Sequence, residues 1–255
     1  MKTVINRIVF LICFMIIWEI IFRLNIFPSL LFPSIFSIFK ALIIGFKEND
    51  LLIKTINSLM LIFKGILLGI IISTILMCLS VTSKVLNDII NNIILFMNPI
   101  PSLAIFPLCI LWFGIGENAL LFVMMHSVVW GLLLNMLSGI RAIPDIYKEI
   151  GMNLELSKYK LIKDIYIPAC MPYIISGIKV SLARAWRTAI SVEMIAGVIG
   201  SEAGLGWYMT YQRNTLDMAG LFSTLIIIVA VGILLEDVVF KTIENKTIKK
   251  WGMIK

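Results

Sequence analysis

The chain has 255 residues, of which 60% are hydrophobic, and its mean hydropathy is +1.01. A water-soluble domain of this length needs far less apolar sequence, so composition excludes an ordinary soluble enzyme and points to the bilayer as solvent. The net charge of +7 therefore reports orientation in a membrane, and nucleic acid is not an expected partner.

Crossing the hydrocarbon core takes about 20 apolar residues per helix. Six runs meet that length, near 8–27, 56–80, 89–113, 118–140, 171–199 and 219–240. The expected fold is all-α and integral to the membrane, with about six transmembrane helices. The first run is too long, and lacks a small-residue cleavage site, to read as a removable leader. Within it Glu19 and Arg23 stand four apart in the favourable order for a helical ion pair. The run defines an N-terminal transmembrane segment, residues 1–27.

Residues 28–55 follow as an interfacial segment. Pro28 and Pro33 close off the first helix, and Ser34 is placed to cap a second. Ile35, Ile38, Phe39, Leu42 and Ile43 then recur at helical spacing, which suits a short helix lying along the membrane. The core of the chain is expected over 56–243, with a basic tail at 244–255. Gly65 and Gly69 in the second run, and Gly177, Gly197 and Gly200 in the fifth, allow close helix approach in lipid.

The third run contains "NPIPSLAIFP". Pro99 and Pro101 remove backbone donors and clash with the preceding turn, so the helix either kinks for packing or breaks to line a cavity. Lys64 could snorkel or pair with another helix. The single histidine, His126, cannot build a metal site by itself and reads as a packed, hydrogen-bonded side chain. Cys13, Cys78, Cys109 and Cys170 have neither metal spacing nor a disulfide pattern, and read as small buried hydrophobes.

Between the fourth and fifth runs lies the charged stretch "EIGMNLELSKYKLIKDIYIPACMP". Tyr147, Ile150 and Leu154 form one helical stripe. Ser157 can cap a second helix with Leu161, Ile162 and Ile165 on its apolar face and Lys158, Lys160 and Lys163 on the polar one, and Pro168 is expected to end it. Two short amphipathic helices would make a knob that either fits a partner's groove or rests on anionic lipid. The side follows from charge. With a cytoplasmic N-terminus, thirteen basic residues fall inside (Lys2, Arg7, Lys84, Arg141, Lys148, Lys158, Lys160, Lys163, Lys241, Lys246, Lys249, Lys250, Lys255). Five fall outside (Arg23, Lys40, Lys47, Lys54, Arg213). The knob and both termini then face the cytoplasm.

This stretch resembles the cytoplasmic "EAA" loop of permease subunits of bacterial ABC importers. Glu149 matches the motif's Glu, Ile150 and Gly151 stand for its alanines, and Ile167-Pro168 stands for its Leu-Pro. The motif's Gly falls on Glu155, and the turn that a glycine permits is adopted at some cost by a residue with a Cβ, or passes to Asn153 or Ser157. Other stretches are similar to the nitrate/sulfonate/taurine/bicarbonate branch: "FPSIFSIFKAL", the third run with its Trp-Phe-Gly-Ile-Gly turn at 112–116, "ARAWRTAISVEMI" and "GLGWYM". The resemblance covers residues 28 to 240 and implies a type I ABC importer (MetI-like) permease fold. It also implies that the loop, 141–168, is the coupling element. Tyr147, Glu149, Ile150, Gly151, Leu154, Glu155, Ser157, Ile167 and Pro168 are its candidate ATPase-coupling residues.

What the resemblance further implies is an assembly. Its partners are cytoplasmic ABC ATPase subunits, an extracytoplasmic solute-binding protein and a second copy of the chain, all at the bacterial cytoplasmic membrane. ATP and magnesium belong to the ATPase, because nothing in this chain reads G-x-x-x-x-G-K-[ST], and no cofactor is expected here. Pro99, Pro101, Arg184, Trp186, Arg187 and Glu193 are candidates for the translocation path, with interhelical pairing as the alternative for the charged ones. Solutes of related permeases include sulfonates, taurine, nitrate, bicarbonate and thiamine-precursor pyrimidines, and the two arginines lean towards an anion. A stand-alone secondary transporter or channel is the rival reading. It predicts inverted repeats and ion-coupling carboxylates, whereas no repeat is visible. A membrane scaffold without transport is a third reading that composition leaves open. One histidine and isolated carboxylates assemble no nucleophile, base and orienter, so the chain is expected to be no enzyme in itself.

Overall fold

The computed structural model describes residues 2–197 and 203–239, and every described element is helical. The basic tail 244–255 and the ends of the expected fifth and sixth runs lie outside the described residues. Helix α1 is Lys2–Arg23, α2 is Ile35–Glu48 and α3 is Leu51–Thr82. Next come α4, Lys84–Met97, a 3₁₀ turn at Ser102–Ile105, and α5, Phe106–Phe113. Then α6, Glu117–Arg141, leads to α7, Asp145–Asn153. The short α8, Lys158–Lys160, runs through a π-helical turn, Leu161–Tyr166, into α9, Ile167–Ala196. Helices α10, Leu205–Asn214, and α11, Met218–Ile233, follow, and a π-helical turn, Leu234–Val239, completes the described chain.

Five helical segments are long and apolar enough to cross a membrane: 5–23, 51–82, 117–141, 161–196 and 218–236. The sixth is a broken pair. Helix α4 and the 102–113 segment meet at 90° across the Pro99–Pro101 stretch. Proline chemistry has here produced a break rather than a kink, because two prolines two residues apart leave no run of donors to continue the ladder.

By compactness the chain divides into two units. Of the described residues, the smaller comprises 2–58, 193–197 and 203–230, the larger 59–192 and 231–239. In the smaller unit Trp18 fixes the segment after α1. Its indole N–H donates to the Pro33 carbonyl at 3.0 Å, its ring stacks on Phe32 with centroids 4.1 Å apart, and its edge meets Phe222. Glu19 pairs with Arg23 at 3.2 Å, as the spacing predicted. Ser34 caps α2 by accepting the Ser37 N–H at 3.1 Å. Of the predicted α2 stripe only Ile38 is buried, while Phe39 and Ile43 stay exposed.

Helix α6 is the centre of the larger unit, with two-thirds of its apolar window buried (67%). It meets α3 at close range. A Cβ on Gly65 would lie 2.5 Å from the Met124 Cβ, and one on Gly69 would lie 2.4 Å from a Val128 methyl. Ser73 seals the same seam by donating to the Val129 carbonyl at 3.1 Å. On another side α9 packs at Gly177, whose missing Cβ makes room for Leu132 and Asn135. Lys64, without an assignment from sequence, forms an ion pair with Glu117 in the first turn of α6. Cys109 and Cys170 are buried as expected, but Cys13 is exposed on α1 and Cys78 is intermediate.

The Gly69 contact leaves no space for a side chain, so Gly69→Val should force α3 off α6. Overpacking of this kind typically costs about 1–3 kcal/mol. The purified variant should melt well below the wild type, and adding Val128→Ala should recover part of the loss. Equal melting of Gly69→Val and wild type would show that this seam does not hold the unit together.

Candidate functional site

The charged stretch forms a hairpin of helices in the larger unit. Asp145 opens α7 just after Pro144, where an acidic side chain complements the helix dipole. Arg141, at the end of α6, donates to Asn91 Oδ1 of α4 at 2.7 Å and ties the base of the hairpin to the broken span. Helix α7 ends in a left-handed cap. Glu155 has φ +48°, the Leu154 N–H donates to the Ile150 carbonyl, and the Leu156 N–H reaches back to the Gly151 carbonyl at 3.1 Å. That six-to-one bond is the Schellman pattern, whose left-handed residue is usually glycine. Glu155 therefore takes the turn itself, and neither Asn153 nor Ser157 replaces it.

Ser157 starts the next helix as predicted, accepting the Lys160 N–H at 3.4 Å. Pro168 does not end that helix, which is a correction to the sequence reading. The helix begun at Lys158 continues into the fifth span. The Ile167 N–H donates to the Ile162 carbonyl five residues back, so the turn before Pro168 is widened to π geometry. A wider turn relieves the clash of the proline ring with the preceding carbonyls, and the helix survives. The second arm of the hairpin is thus the N-terminal part of a helix long and apolar enough to span a membrane, 161–196.

The two arms pack through Gly151. A Cβ there would lie 2.4 Å from Leu161 and 3.0 Å from Ile165, so only hydrogen fits. This contact consumes the stripe of the second arm: Leu161, Ile162 and Ile165 are half-buried. The stripe of α7 has no such cover. Tyr147, Ile150 and Leu154 are exposed by 52%, 44% and 65%. Beneath them a cleft of about 380 Å³ is lined by Ile143, Pro144, Tyr147, Ile165, Pro168 and Tyr173, among others. The structure therefore brings Tyr147, Ile150, Gly151, Leu154, Ile167 and Pro168 into one hairpin, with Glu149, Glu155 and Ser157 on its solvent side.

The path candidates do not gather in one place. Pro99 and Pro101 sit exposed at the break. Trp186 is buried, its indole against Gly232 of α11, so that a Cβ on Gly232 would lie 3.1 Å from Nε1. Arg187 is exposed and donates through Nε to the Ala183 carbonyl at 3.1 Å. Arg184 crosses to α6 at Gly131, where a Cβ would lie 2.9 Å from its guanidinium.

Glu193 is buried in the smaller unit and engaged through one carboxylate oxygen. Its Oε2 accepts from Ser58 Oγ at 2.8 Å and from the Gly206 N–H at 2.9 Å, while Ser58 Oγ accepts the Leu205 N–H at 2.9 Å. Gly204, the residue before α10, offers no side-chain cap. A Cβ at Gly204 would lie 2.3 Å from the Glu193 carboxyl carbon. Glu193 and Ser58 together thus supply the cap that Gly204 lacks, with the negative group at the positive end of α10. Sequence reasoning missed Ser58. The usable signal was the rule that an acid at membrane depth needs donors, with Gly-Leu-Gly eleven residues on.

Two outcomes are expected from these geometries. Glu155→Gly should relieve the left-handed strain, offset by the greater freedom of glycine in the unfolded chain, for a net gain of about 0.5–1 kcal/mol. Slower hydrogen exchange over 151–157 and an unchanged or higher melting midpoint would show it; faster exchange would contradict it. Glu193→Ala should leave Ser58 and the Gly206 N–H unpaired, at about 1–3 kcal/mol, and Glu193→Gln should lose less because it keeps an acceptor. Limited proteolysis around 203–214 reads the difference. Equal protection in both variants and wild type would show that the cap does not hold α10.

Residues 65–249 match the sequence profile of a family described as binding-protein-dependent transport system inner membrane component. A bicarbonate transport system permease protein of Synechococcus elongatus is 29% identical, over 75% of this chain and 68% of its own. A nitrate import permease protein of Synechocystis is 27% identical, over 68% of this chain and 58% of its own. A Bacillus subtilis permease assigned to aliphatic sulfonates transport is 27% identical, over 91% of this chain and 83% of its own. Among solved structures, the inward-facing MetNI methionine ABC transporter aligns with a TM-score of 0.62 at 15% identity, covering 75% of this chain and 95% of that one. At that identity the alignment shows a shared fold.

Proposed function

Since the chain belongs to the family of binding-protein-dependent transport system inner membrane components, we propose that it is the membrane-spanning permease of an ATP-driven importer for a small anion. The observation that carries this reading is the hairpin between the fourth and fifth spans. One face of it is packed on itself through Gly151, and the other presents Tyr147, Ile150 and Leu154 uncovered. An apolar stripe on a rigid helix, flanked by Glu149 and Lys160, suits a groove on a soluble protein. In this family that protein is an ABC ATPase, which also holds the ATP and magnesium.

The second arm of the hairpin is continuous with the fifth span, so movement of the docked ATPase passes directly into a membrane helix. Two copies of the chain face each other around the pathway. ATP binding draws the two hairpins together and opens the pathway outward, and hydrolysis resets it. A separate binding protein delivers the solute from outside. The charge distribution places the hairpin and both termini in the cytoplasm. Relatives named for bicarbonate, nitrate and aliphatic sulfonate transport support an anionic solute, as do Arg184 and Arg187 in the fifth span.

Truncating or charging a buried anchor typically costs about 2 kcal/mol or more, which is roughly 30-fold in binding. Leu154→Asp should therefore release the cognate ATPase in pull-downs, and Glu149→Lys should weaken it, while both variants still insert and melt normally. Solute-stimulated ATP hydrolysis in proteoliposomes should fall in parallel. Wild-type capture and stimulation in both variants would leave the hairpin as a lipid-resting element and remove the coupling role.

A further inference from the structure

Helix α4 is the first arm of the broken span, bounded by the single extended residue Ser83 on one side and by the 90° elbow on the other. Its buried residues are Ile90 and Ile94, one turn apart. Beside that apolar stripe runs a polar one, Asn87 and Asn91, also one turn apart. The polar stripe is bonded on both sides. Arg141 Nη2, on the last residue of α6, donates to Asn91 Oδ1 at 2.7 Å. Asn91 Nδ2 donates to Asn87 Oδ1 at 3.1 Å and to the Asn87 carbonyl at 2.7 Å. Ser80 Oγ, buried in the last turn of α3, donates to the same Asn87 Oδ1 at 2.8 Å. Four side chains thus join three helices.

The direction of this chain is set at one end. A guanidinium only donates, so it turns the Asn91 amide with its oxygen towards Arg141 and its N–H groups towards Asn87. Asn87 Oδ1 is then the acceptor, and the Ser80 hydroxyl adds a second bond to it. A carboxylate at position 91 would keep the link to Arg141 alone, and an aliphatic side chain would keep neither link. The bond from the guanidinium is charge-assisted, which makes it the stronger kind. Arg141 also stands four residues before α7 opens at Asp145. The base of the hairpin and the first arm of the broken span are therefore joined through one side chain.

We propose that Arg141 is a positioning residue of the transport cycle: through Asn91 it passes movement of the hairpin to α4, while Asn87 and Ser80 keep that arm in register with α3. This role deepens the permease reading and rests on it for its purpose. It gives the hairpin a second output, towards the elbow at Pro99–Pro101, besides the one that runs straight into α9. Helix α4 is suited to receive it. A helix bounded by an extended residue and by a break can turn as one body while its neighbours in the chain stay in place.

The test has two arms. In the first, the full chain alone, in lipid nanodiscs, is followed by hydrogen exchange. Asn91→Leu and Arg141→Gln remove the link and should speed amide exchange over 84–97 by roughly tenfold, the loss expected for one hydrogen bond to a charged group. Asn91→Asp keeps an acceptor facing the guanidinium and should exchange like wild type. In the second arm, the chain is assembled with its cognate ATPase, with Cys13 and Cys78 replaced by serine. An environment-sensitive fluorophore is placed on Phe96→Cys to report α4, or on Val180→Cys to report α9, both exposed positions. Magnesium ATP with vanadate should shift both signals in the otherwise unchanged chain. With Asn91→Leu or Arg141→Gln the α4 signal should lose most of its shift while the α9 signal keeps its own, and Asn91→Asp should keep both. The proposal is overturned if exchange over 84–97 ignores loss of the link, or if the α4 shift survives in both variants. Loss of both shifts together, with the ATPase still captured, would make Arg141 a general structural residue and equally overturn it. If the wild-type chain captures no ATPase, the permease reading fails and takes the transport role with it, whereas the exchange arm still decides whether Arg141 holds α4.

Discussion

The larger unit depends on how closely α3 and α9 can approach α6. Within a bilayer, lipid tails are as apolar as leucine, so burial alone does not drive helices together, and association rests on van der Waals contact and interhelical hydrogen bonds. Gly65 and Gly69 let the backbone of α3 come against Met124 and Val128, and Gly177 does the same for α9 at Leu132 and Asn135. The Ser73 bond to the Val129 carbonyl is affordable only because the backbones are already this near. Helix α6 consequently becomes a fixed reference, and the polar side chains it carries are held in one place.

That fixed reference matters for charges. Several ionisable groups at membrane depth have found one of two solutions. Glu19 with Arg23 and Lys64 with Glu117 pair directly. Glu193 spends its carboxylate on Ser58 and the first turn of α10, so a potentially costly acid becomes the cap that a glycine-led helix needs. Arg184 has neither solution. It lies against Gly131 of α6.

The hairpin after α6 applies the same close-approach rule to a charged stretch. Gly151 brings the two arms together, and their own contact uses up the apolar face of the second arm. The face of α7 is what remains. Glu155 accepts a left-handed conformation that glycine would adopt freely, which shows that the turn geometry is required whatever residue occupies it. The second arm is continuous with α9, so that half of the hairpin is part of a long helix and not a loose loop.

Much of this was determined by the sequence alone, wherever the information is local. Six apolar runs, the Ser34 cap, the Glu19–Arg23 pair and the Ser157 start of the second arm all follow from periodicity, spacing and capping within a few residues. The Pro99–Pro101 stretch announced a disturbance, and the order of motifs carried the family. What only the tertiary structure decided involves partners far apart in the chain. Ser58 and Glu193 are 135 residues apart and meet only because α10 folds back onto both. Trp186 meets Gly232, 46 residues on in the chain, where a glycine leaves room for its indole. Pro168 reads as a stop until the π turn ahead of it absorbs the ring. A residue's neighbours in sequence fix its helix and its face. Which face meets which is set by close packing of whole helices, and no local pattern contains it.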